Sequence, residues 1–131
     1  MSRKIMVPII IVVVLGLAAA LYFLVFSGER PVVYTEYSPG DYFVTNVKDS
    51  NRLLKTGVIL VLDDEKFAAG IDVNKALIRD TIIFILRDQD EATLRKSGSD
   101  EGIRKAIIAK LNTVLATEHV YDVYFTDYVM Q

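Results

Sequence analysis

The sequence predicts an α+β protein with one N-terminal transmembrane helix, followed by a small domain with an antiparallel sheet and two main helices. The first observation is that residues 5–26 contain no charged side chain. The second is that two strand-like segments follow each other across a short polar turn, which is the pattern of an antiparallel hairpin. The third is that two segments with helical periodicity come next, before a final strand-like segment.

The apolar run 5–26 is long enough to cross a membrane. As a helix it extends about 33 Å, against about 30 Å for the hydrocarbon core of a bilayer. A cleaved secretory signal, with Ala18 to Ala20 as its cleavage site, is the alternative. However, the apolar region of a signal is typically about 7 to 15 residues long and ends before that site. We therefore predict a retained span, in which Gly16 and Ala20 form a small-residue notch that would let two spans pack closely.

The charges beside the span predict its orientation. Arg3 and Lys4 precede it, whereas Arg30 alone follows it closely, and basic residues favour the cytoplasmic side. The predicted parts are therefore a cytoplasmic N-terminus over residues 1–4, a linker over 27–40 and a domain outside the cytoplasm over 41–131.

The exported part has a net negative charge. It holds all 17 acidic residues but only 13 of the 15 basic ones. This balance argues against nucleic acid, or an anionic membrane surface, as its main partner. Because the chain has no cysteine, packing rather than disulfide bonds must stabilise the domain.

Two strands are predicted at the start of the domain. Residues 42–47 alternate in the manner of a strand, residues 48–51 favour a turn, and residues 52–62 form a longer, mostly apolar strand. Residues 32–34, within the linker, would add a short edge strand. The two longer strands predict a hairpin.

A helix is predicted over residues 72–87, with Asp72 as its N-terminal cap. Val73, Ala76, Leu77 and Phe84 recur at helical spacing, so we expect them on the buried face. Residues 82–86 are apolar on all sides, which indicates a buried helix end or, as the alternative, a strand. Asp80 falls on the same face as Leu77 and Phe84. A carboxylate there must be paired or lie near an edge, because burial of an unpaired charge is costly.

A second helix and a last strand complete the predicted domain. Ser99 is the expected cap of the second helix, whose apolar side includes Ile103, Ile107 and Leu111. The strand follows over residues 120–130. There Val123, Phe125 and Val129, on the buried face, alternate with Tyr124, Thr126 and Tyr128 on the less buried one.

The residue types for catalysis or metal binding are scarce. The chain has one histidine, His119, and no cysteine, so a zinc site would have to rely on carboxylates. The acidic stretches 63–65 and 88–91 lack the spacing of a calcium loop, and solvated loops explain them better. No serine nucleophile motif or phosphate loop is present. We therefore expect no enzyme, metal or cofactor, and a protein that works by binding.

The order of motifs resembles the FliL family, the flagellar basal body-associated proteins, over the whole chain. A final strand with a phenylalanine-threonine pair that stops at glutamine is the most specific feature. The matching stretches are Tyr42–Val47, the strand ending at Val61–Leu62, Ile78–Ile83 with its Arg79–Asp80 pair, Glu101–Gly102, and Val123–Gln131.

The resemblance implies a stomatin-type, SPFH-like domain in the periplasm, anchored in the bacterial inner membrane at the flagellar basal body. Copies would form a ring beside the MotA/MotB stator and support torque in swimming and swarming. The ring would bind the plug-free stator form better and so raise its population. The basal-body MS ring is a further implied partner. The candidate contacts with another subunit or the stator are Arg79, Asp80, Tyr124, Thr126 and Tyr128, of which the first two could equally be structural.

Two other functions stay open at this stage. One is a general stomatin-like membrane scaffold, and the other is an extracytoplasmic sensor that binds a small ligand. A pocket with converging polar groups would favour the sensor, whereas a stacked interface between neighbouring domains would favour the ring.

Overall fold

The computed structural model describes residues 3–131, in two compact units, of which the first ends at Pro31 and the second is Val32–Gln131. The first unit consists mainly of helix α1, Arg3–Phe26, whose side chains are all exposed. By length and composition this helix is able to cross a membrane. Met1 and Ser2, which belong to the predicted cytoplasmic segment, lie outside the described residues.

The second unit is an α+β domain, as predicted. Three strands come first along the chain, the short and long helices follow, and a fourth strand completes an antiparallel sheet. The elements are β1 (Thr35–Tyr37), β2 (Phe43–Asn46), β3 (Leu53–Leu62), α2 (Glu65–Gly70), a 3-10 helix (Ile71–Asn74), α3 (Lys75–Arg87), α4 (Glu91–Arg95), α5 (Ser99–Val114) and β4 (Val120–Met130).

Strand β3 lies at the centre of the sheet. β4 pairs with it over most of its length, while β1 and β2 pair with opposite ends of β3. Because a strand has two edges and β4 occupies one, β1 and β2 share the other. Residues 57–59 lie between the ends that those two strands cover. The predicted hairpin of β2 and β3 is confirmed. The edge strand expected at 32–34 is displaced, because β1 forms directly after those residues, at Thr35–Tyr37, still within the predicted linker.

The two long helices cover one face of the sheet. Helix α3 packs on β2, α5 packs on β4, and the helices pack against each other. The buried side of α5 is the predicted one. Together these elements enclose a single apolar core of Phe43, Val47, Leu54, Val58, Leu60, Leu62, Ile71, Ile78, Ile82, Leu86, Leu94, Ile103, Ile107, Leu111, Val120 and Val123.

The predicted buried face of α3 is wrong. Ile78, Ile82 and Leu86, four residues apart, are the side chains that enter the core. Val73, Leu77 and Phe84 are instead 87%, 41% and 73% exposed. Two apolar stripes run along this helix, and the one without a charged residue packs against the sheet, because burial of Asp80 would require a charge partner.

The caps of the helices also differ from the prediction. Asp72 accepts a hydrogen bond from the Tyr37 hydroxyl at 2.9 Å, and α3 begins only at Lys75. Ser99 lies inside α5, after Gly98, whose φ of 79° is a left-handed conformation that suits glycine. Both predicted side-chain caps are therefore wrong.

The acidic stretches that were expected to be loops begin two short helices. Asp64 accepts a hydrogen bond from the Phe67 N–H at 2.8 Å at the start of α2, and Asp90 accepts one from the Thr93 N–H at 2.7 Å at the start of α4. These backbone bonds are the main reason why the pKa of each carboxyl lies below its usual value.

Candidate functional site

The outward side of α3, with the 3-10 helix before it, presents exposed apolar side chains, which we call the outer stripe: Val73, Leu77 and Phe84. Leu77 and Phe84 are seven residues apart on the side of α3 away from the core, and Val73 lies in the 3-10 helix that leads into α3. Asp80 lies between Leu77 and Phe84 on this stripe and is exposed. An exposed group of large apolar side chains is a common mark of a contact surface.

Asp80 is therefore not a buried acid. Among the described residues it forms no salt bridge, and water solvates its carboxylate. The presence of this one charge was the signal in the sequence that the Val73–Phe84 side faces outward. The structure leaves Asp80 accessible for a contact with another molecule.

Arg79, the neighbour of Asp80, points the other way and binds its own domain. Its guanidinium donates hydrogen bonds to the Pro39 carbonyl at 2.9 Å and the Tyr42 carbonyl at 3.1 Å. It also lies 4.2 Å from the centre of the Phe43 ring, at cation–π distance. Arg79 thus fixes the loop between β1 and β2, which corresponds to the structural alternative for this residue.

Gly40 makes the close approach of Arg79 possible. A Cβ atom at this position would collide with the Arg79 guanidinium. The φ of Gly40 is also 134°, a conformation that L side chains rarely adopt. The glycine and the arginine therefore act together to shape the loop.

The side of the sheet away from the helices is a second partly apolar surface, which we call the open face: Val44, Lys55, Ile59, Tyr124 and Val129. The register places Val44 and Val129 on either side of Lys55, and Tyr124 opposite Ile59. Val44, Tyr124 and Val129 are exposed, and the Lys55 ammonium lies 4.4 Å from the centre of the Tyr42 ring.

The predicted alternation of β4 is correct as far as Thr126 and wrong after it. Val123 is buried and Tyr124 and Thr126 are exposed, but Tyr128 packs against the core and Val129 is exposed. The cause is a bulge. Asp127 has a φ of 51°, and the pairing with β3 skips a residue there, which reverses the faces of the residues that follow.

Burial leaves the Tyr128 hydroxyl without a hydrogen-bond partner among the described residues. Burial is also the main cause that raises the pKa of Tyr128, followed by the charge of Asp100. The Phe125 ring lies 5.6 Å away, centre to centre. Of the three candidate contact residues on β4, Tyr124 and Thr126 lie on the exposed side, and Tyr128 does not.

Thr126 packs against a glycine on the next strand. Gly57 lies directly opposite it, and a Cβ on Gly57 would collide with the Thr126 hydroxyl. Next to it, the Thr56 hydroxyl donates a hydrogen bond to the Thr126 carbonyl at 3.2 Å. Because Gly57 has no side chain, the Thr126 side chain occupies the space between Lys55 and Ile59 on the open face.

An open notch of about 400 Å³ lies beside Gly57 and Thr126. It occupies the part of β3 where neither β1 nor β2 pairs, so backbone as well as side chains form its wall. Its polar groups are the hydroxyls of Ser38 and Thr126 and the carboxylates of Asp41 and Asp127. The full lining is Ser38, Gly40, Asp41, Tyr42, Gly57, Val58, Ile59, Thr126 and Asp127.

His119 lies among acids at the other end of β3. Its Nδ1 is 2.8 Å from an Asp63 carboxylate oxygen, and its Nε2 is 3.9 Å from one of Asp64. The Phe67 ring packs beside it at 5.5 Å. Within residues 3–131, no group of three or more His, Asp or Glu side chains is arranged to hold a metal ion. This cluster joins the start of β4 to the end of β3.

Gly16 and Ala20, the predicted packing residues of the span, are both exposed on α1. A Cβ on Gly16 would meet no atom within 4 Å. The helix surface is thus free at this position to approach another helix in lipid.

The domain with these surfaces matches a known family. The family model described as flagellar basal body-associated protein FliL matches residues 37–131. The chain belongs to the FliL family. The match covers the elements from the end of β1 through β4, and therefore includes both the outer stripe and the open face. The resemblance seen in the sequence is confirmed.

Two curated FliL proteins are among the similar sequences. The flagellar protein FliL of Aquifex aeolicus (strain VF5) is 24% identical over 103 residues, which cover 77% of this chain and 64% of that protein. The flagellar protein FliL of Escherichia coli (strain K12) is 28% identical over 99 residues, which cover 70% of this chain and 62% of that protein. The matched part thus spans less than two thirds of each relative. Membership of this family is consistent with a flagellar role.

Proposed function

We propose that this FliL-family chain is a non-enzymatic accessory protein of the flagellar motor that forms a ring beside the MotA/MotB stator. In this proposal α1 anchors each copy in the inner membrane with its N-terminus in the cytoplasm, and the domain, of SPFH-like type, lies in the periplasm. The observation that carries the proposal is the family match over the domain, together with an apolar helix before it.

The two exposed surfaces support a function through contacts. An isolated domain has no need for large apolar side chains in water on both the outer stripe and the open face. A ring would cover such surfaces, and it would hold many copies around one stator. Stator activation then needs no catalysis, because preferential binding of the active stator form raises its population.

The candidate contact residues divide into two groups in this proposal. Asp80, Tyr124 and Thr126 are exposed, so they are available to another subunit or to the stator. Arg79 and Tyr128 contribute to the shape of the surface from within, since one fixes the β1–β2 loop and the other packs on the core. Gly16 and Ala20 would act separately, in contacts between spans or with the stator's own helices. In this proposal the MS ring of the flagellar basal body is a further partner.

A motility experiment tests this function. The gene is deleted in its native host, and swimming speed and motor torque are measured in buffer and in a viscous medium. We expect a loss that grows with load, and recovery on expression of the full chain. Expression of a chain without residues 32–131 is the matched control and should not restore motility. Normal torque at every load in the deletion strain would contradict the proposal.

The sensor alternative would use the notch. Ser38, Asp41, Thr126 and Asp127 line one open volume, and the two acids among them would suit a small cationic ligand. The two functions make different predictions for Asp127→Asn, which removes a charge from the notch. A sensor loses its response to the ligand with this variant, whereas a ring still forms and still supports torque.

A further inference from the structure

We propose that the outer stripe of one copy docks on the open face of the next copy, with Phe84 in the notch over Gly57 and Asp80 paired with Lys55. This inference rests on the ring of the proposed function and specifies its contact. The two surfaces lie on opposite sides of the same domain, so neither is able to cover the other within one copy. A second copy always presents the missing surface.

The spacing of the residues on the two surfaces agrees. Four residues of α-helix separate Asp80 from Phe84, an advance of about 6 Å. Two residues of strand separate Lys55 from Gly57, an advance of about 6.8 Å. When the Asp80 carboxylate lies over the Lys55 ammonium, Phe84 therefore lies over Gly57 and the small Thr126 side chain that packs on it, at the notch.

The notch suits an aromatic ring. The Phe84 side chain is 73% exposed in a single copy, and the notch provides about 400 Å³. Burial of such a side chain favours association, because it removes a large apolar surface from water. Ile59, on the wall of the notch, supplies apolar contact to the inserted ring.

The charges on the two surfaces are complementary. The outer stripe has one acid between its apolar side chains, Asp80, and the open face has one base among its apolar side chains, Lys55. One turn beyond Phe84, Arg87 is exposed and brings a positive charge toward the notch, which Asp41 and Asp127 line. An acid of the outer stripe thus faces a base of the open face, and a base beyond the stripe faces the acids of the notch.

This contact joins two different surfaces, so it is heterologous. A heterologous contact leaves both end surfaces free after every addition and produces a ring when the rotation closes. Three side chains of one helix cover less than the roughly 800 Å² per partner of a typical stable interface. We therefore expect the contact to depend on the high local concentration that a shared membrane provides.

Disulfide cross-linking in membranes tests the contact, because the native chain has no cysteine. The full chain with Phe84→Cys and Thr126→Cys is expressed in its host, and isolated membranes are oxidised and run without reductant. We expect a ladder of cross-linked species. Either single variant alone should give only monomer, and both single variants expressed together should stop at a dimer.

The pair Phe84→Cys and Lys105→Cys is the matched control. Lys105 is exposed on α5, on the helix side of the sheet, so this pair should give no ladder. A ladder from the control pair, or a dimer from Phe84→Cys alone, would overturn the proposed contact, since the latter indicates a symmetric contact between two α3 helices.

A charge exchange tests the register. Added to the double-cysteine chain, Asp80→Lys should abolish the ladder, and Lys55→Asp in the same chain should restore it. An undiminished ladder with Asp80→Lys, or no recovery in the exchanged chain, would overturn the Asp80–Lys55 pairing.

Different results would refute the proposed contact and the proposed ring. A lysine-reactive cross-linker on the wild-type chain in membranes reports oligomers whatever their contact. Oligomers in this assay without a cysteine ladder would refute the helix-on-sheet contact and leave the ring intact. An absence of oligomers in both assays would refute the ring itself.

Discussion

The two sides of α3 are both apolar, but only one is in the core. Ile78 and Ile82 on the inner side are fully buried, whereas Phe84 on the outer side is mostly exposed. The difference shows that hydrophobicity at helical spacing identifies an apolar side without telling what covers it. In a protein that assembles with other molecules, the second apolar side is available for a contact.

The largest expected effect is the difference in protein stability between a substitution on the inner side of α3 and one on its outer side. Ile82→Ala should lower the free energy of unfolding by about 2–5 kcal/mol, because it leaves a cavity in a packed core. Phe84→Ala, the control two residues away, should change it by less than about 0.5 kcal/mol. Urea titrations of the full chain in detergent, followed by circular dichroism, provide the measurement. An equal loss for both variants would mean that the outer side is buried in the isolated chain.

The next effect compares the neighbours Arg79 and Asp80. Arg79→Ala removes two hydrogen bonds to loop carbonyls and leaves those carbonyls unpaired, which should cost about 1–3 kcal/mol. Asp80→Ala should be close to neutral in the same urea titration. Arg79→Lys should not restore stability, since a single ammonium cannot reproduce the planar fork of donors. Full stability in the lysine variant would show that charge alone matters there.

A third effect, of similar size, concerns the contact between Gly57 and Thr126 on the open face. Gly57→Ala should cost about 1–3 kcal/mol, because the new methyl group collides with Thr126. Thr126→Ala in the same chain should recover much of this loss, and a double-mutant cycle measures the coupling. Gly102→Ala is the control. No atom lies within 4 Å of its added Cβ, and alanine in a helix should stabilise by about 0.5–1 kcal/mol.

The smallest effect is the acid sensitivity of the short helices. The lowered pKa values of Asp64 and Asp90 mean that the folded state favours their charged forms. Their contribution to stability is present above the usual pKa of 3.8 and is lost as the pH falls through the lowered values. Asp64→Asn with Asp90→Asn keeps a cap but removes the titration. Thermal unfolding between pH 6 and 3 should therefore depend less on pH in the double variant; an unchanged slope would contradict this cause.

Elements with one unambiguous pattern could be predicted from the sequence. The long apolar run of β3, the hairpin turn before it and the single apolar stripe of α5 each allow one arrangement, and each is observed. The sheet, its antiparallel pairing and the two main helices follow from these patterns. The candidate contacts Tyr124 and Thr126 were also placed on the correct side of β4.

The rest depended on tertiary structure. Helix α3 has two apolar sides, and packing against β2 selects the one that has no charge. The position of Tyr128 depends on the bulge at Asp127, and no local pattern marks a residue that will adopt a positive φ. Arg79 binds a loop 40 residues earlier in the chain, and helical or strand periodicity does not indicate contacts between residues so far apart. The notch exists only because β1 and β2 pair with different ends of β3.

The bulge at Asp127 also affects how the protein avoids aggregation. Strand β4 forms one edge of the sheet over 11 residues, and a long regular edge is a template on which identical chains add strand to strand. The pairing of β4 with β3 is irregular near both of its ends, opposite 61–62 and opposite 55–57. These irregularities twist the edge and shorten its regular part. In the proposed ring, where copies lie close together, these irregularities would oppose fibril-like association and leave side-chain surfaces as the route for assembly.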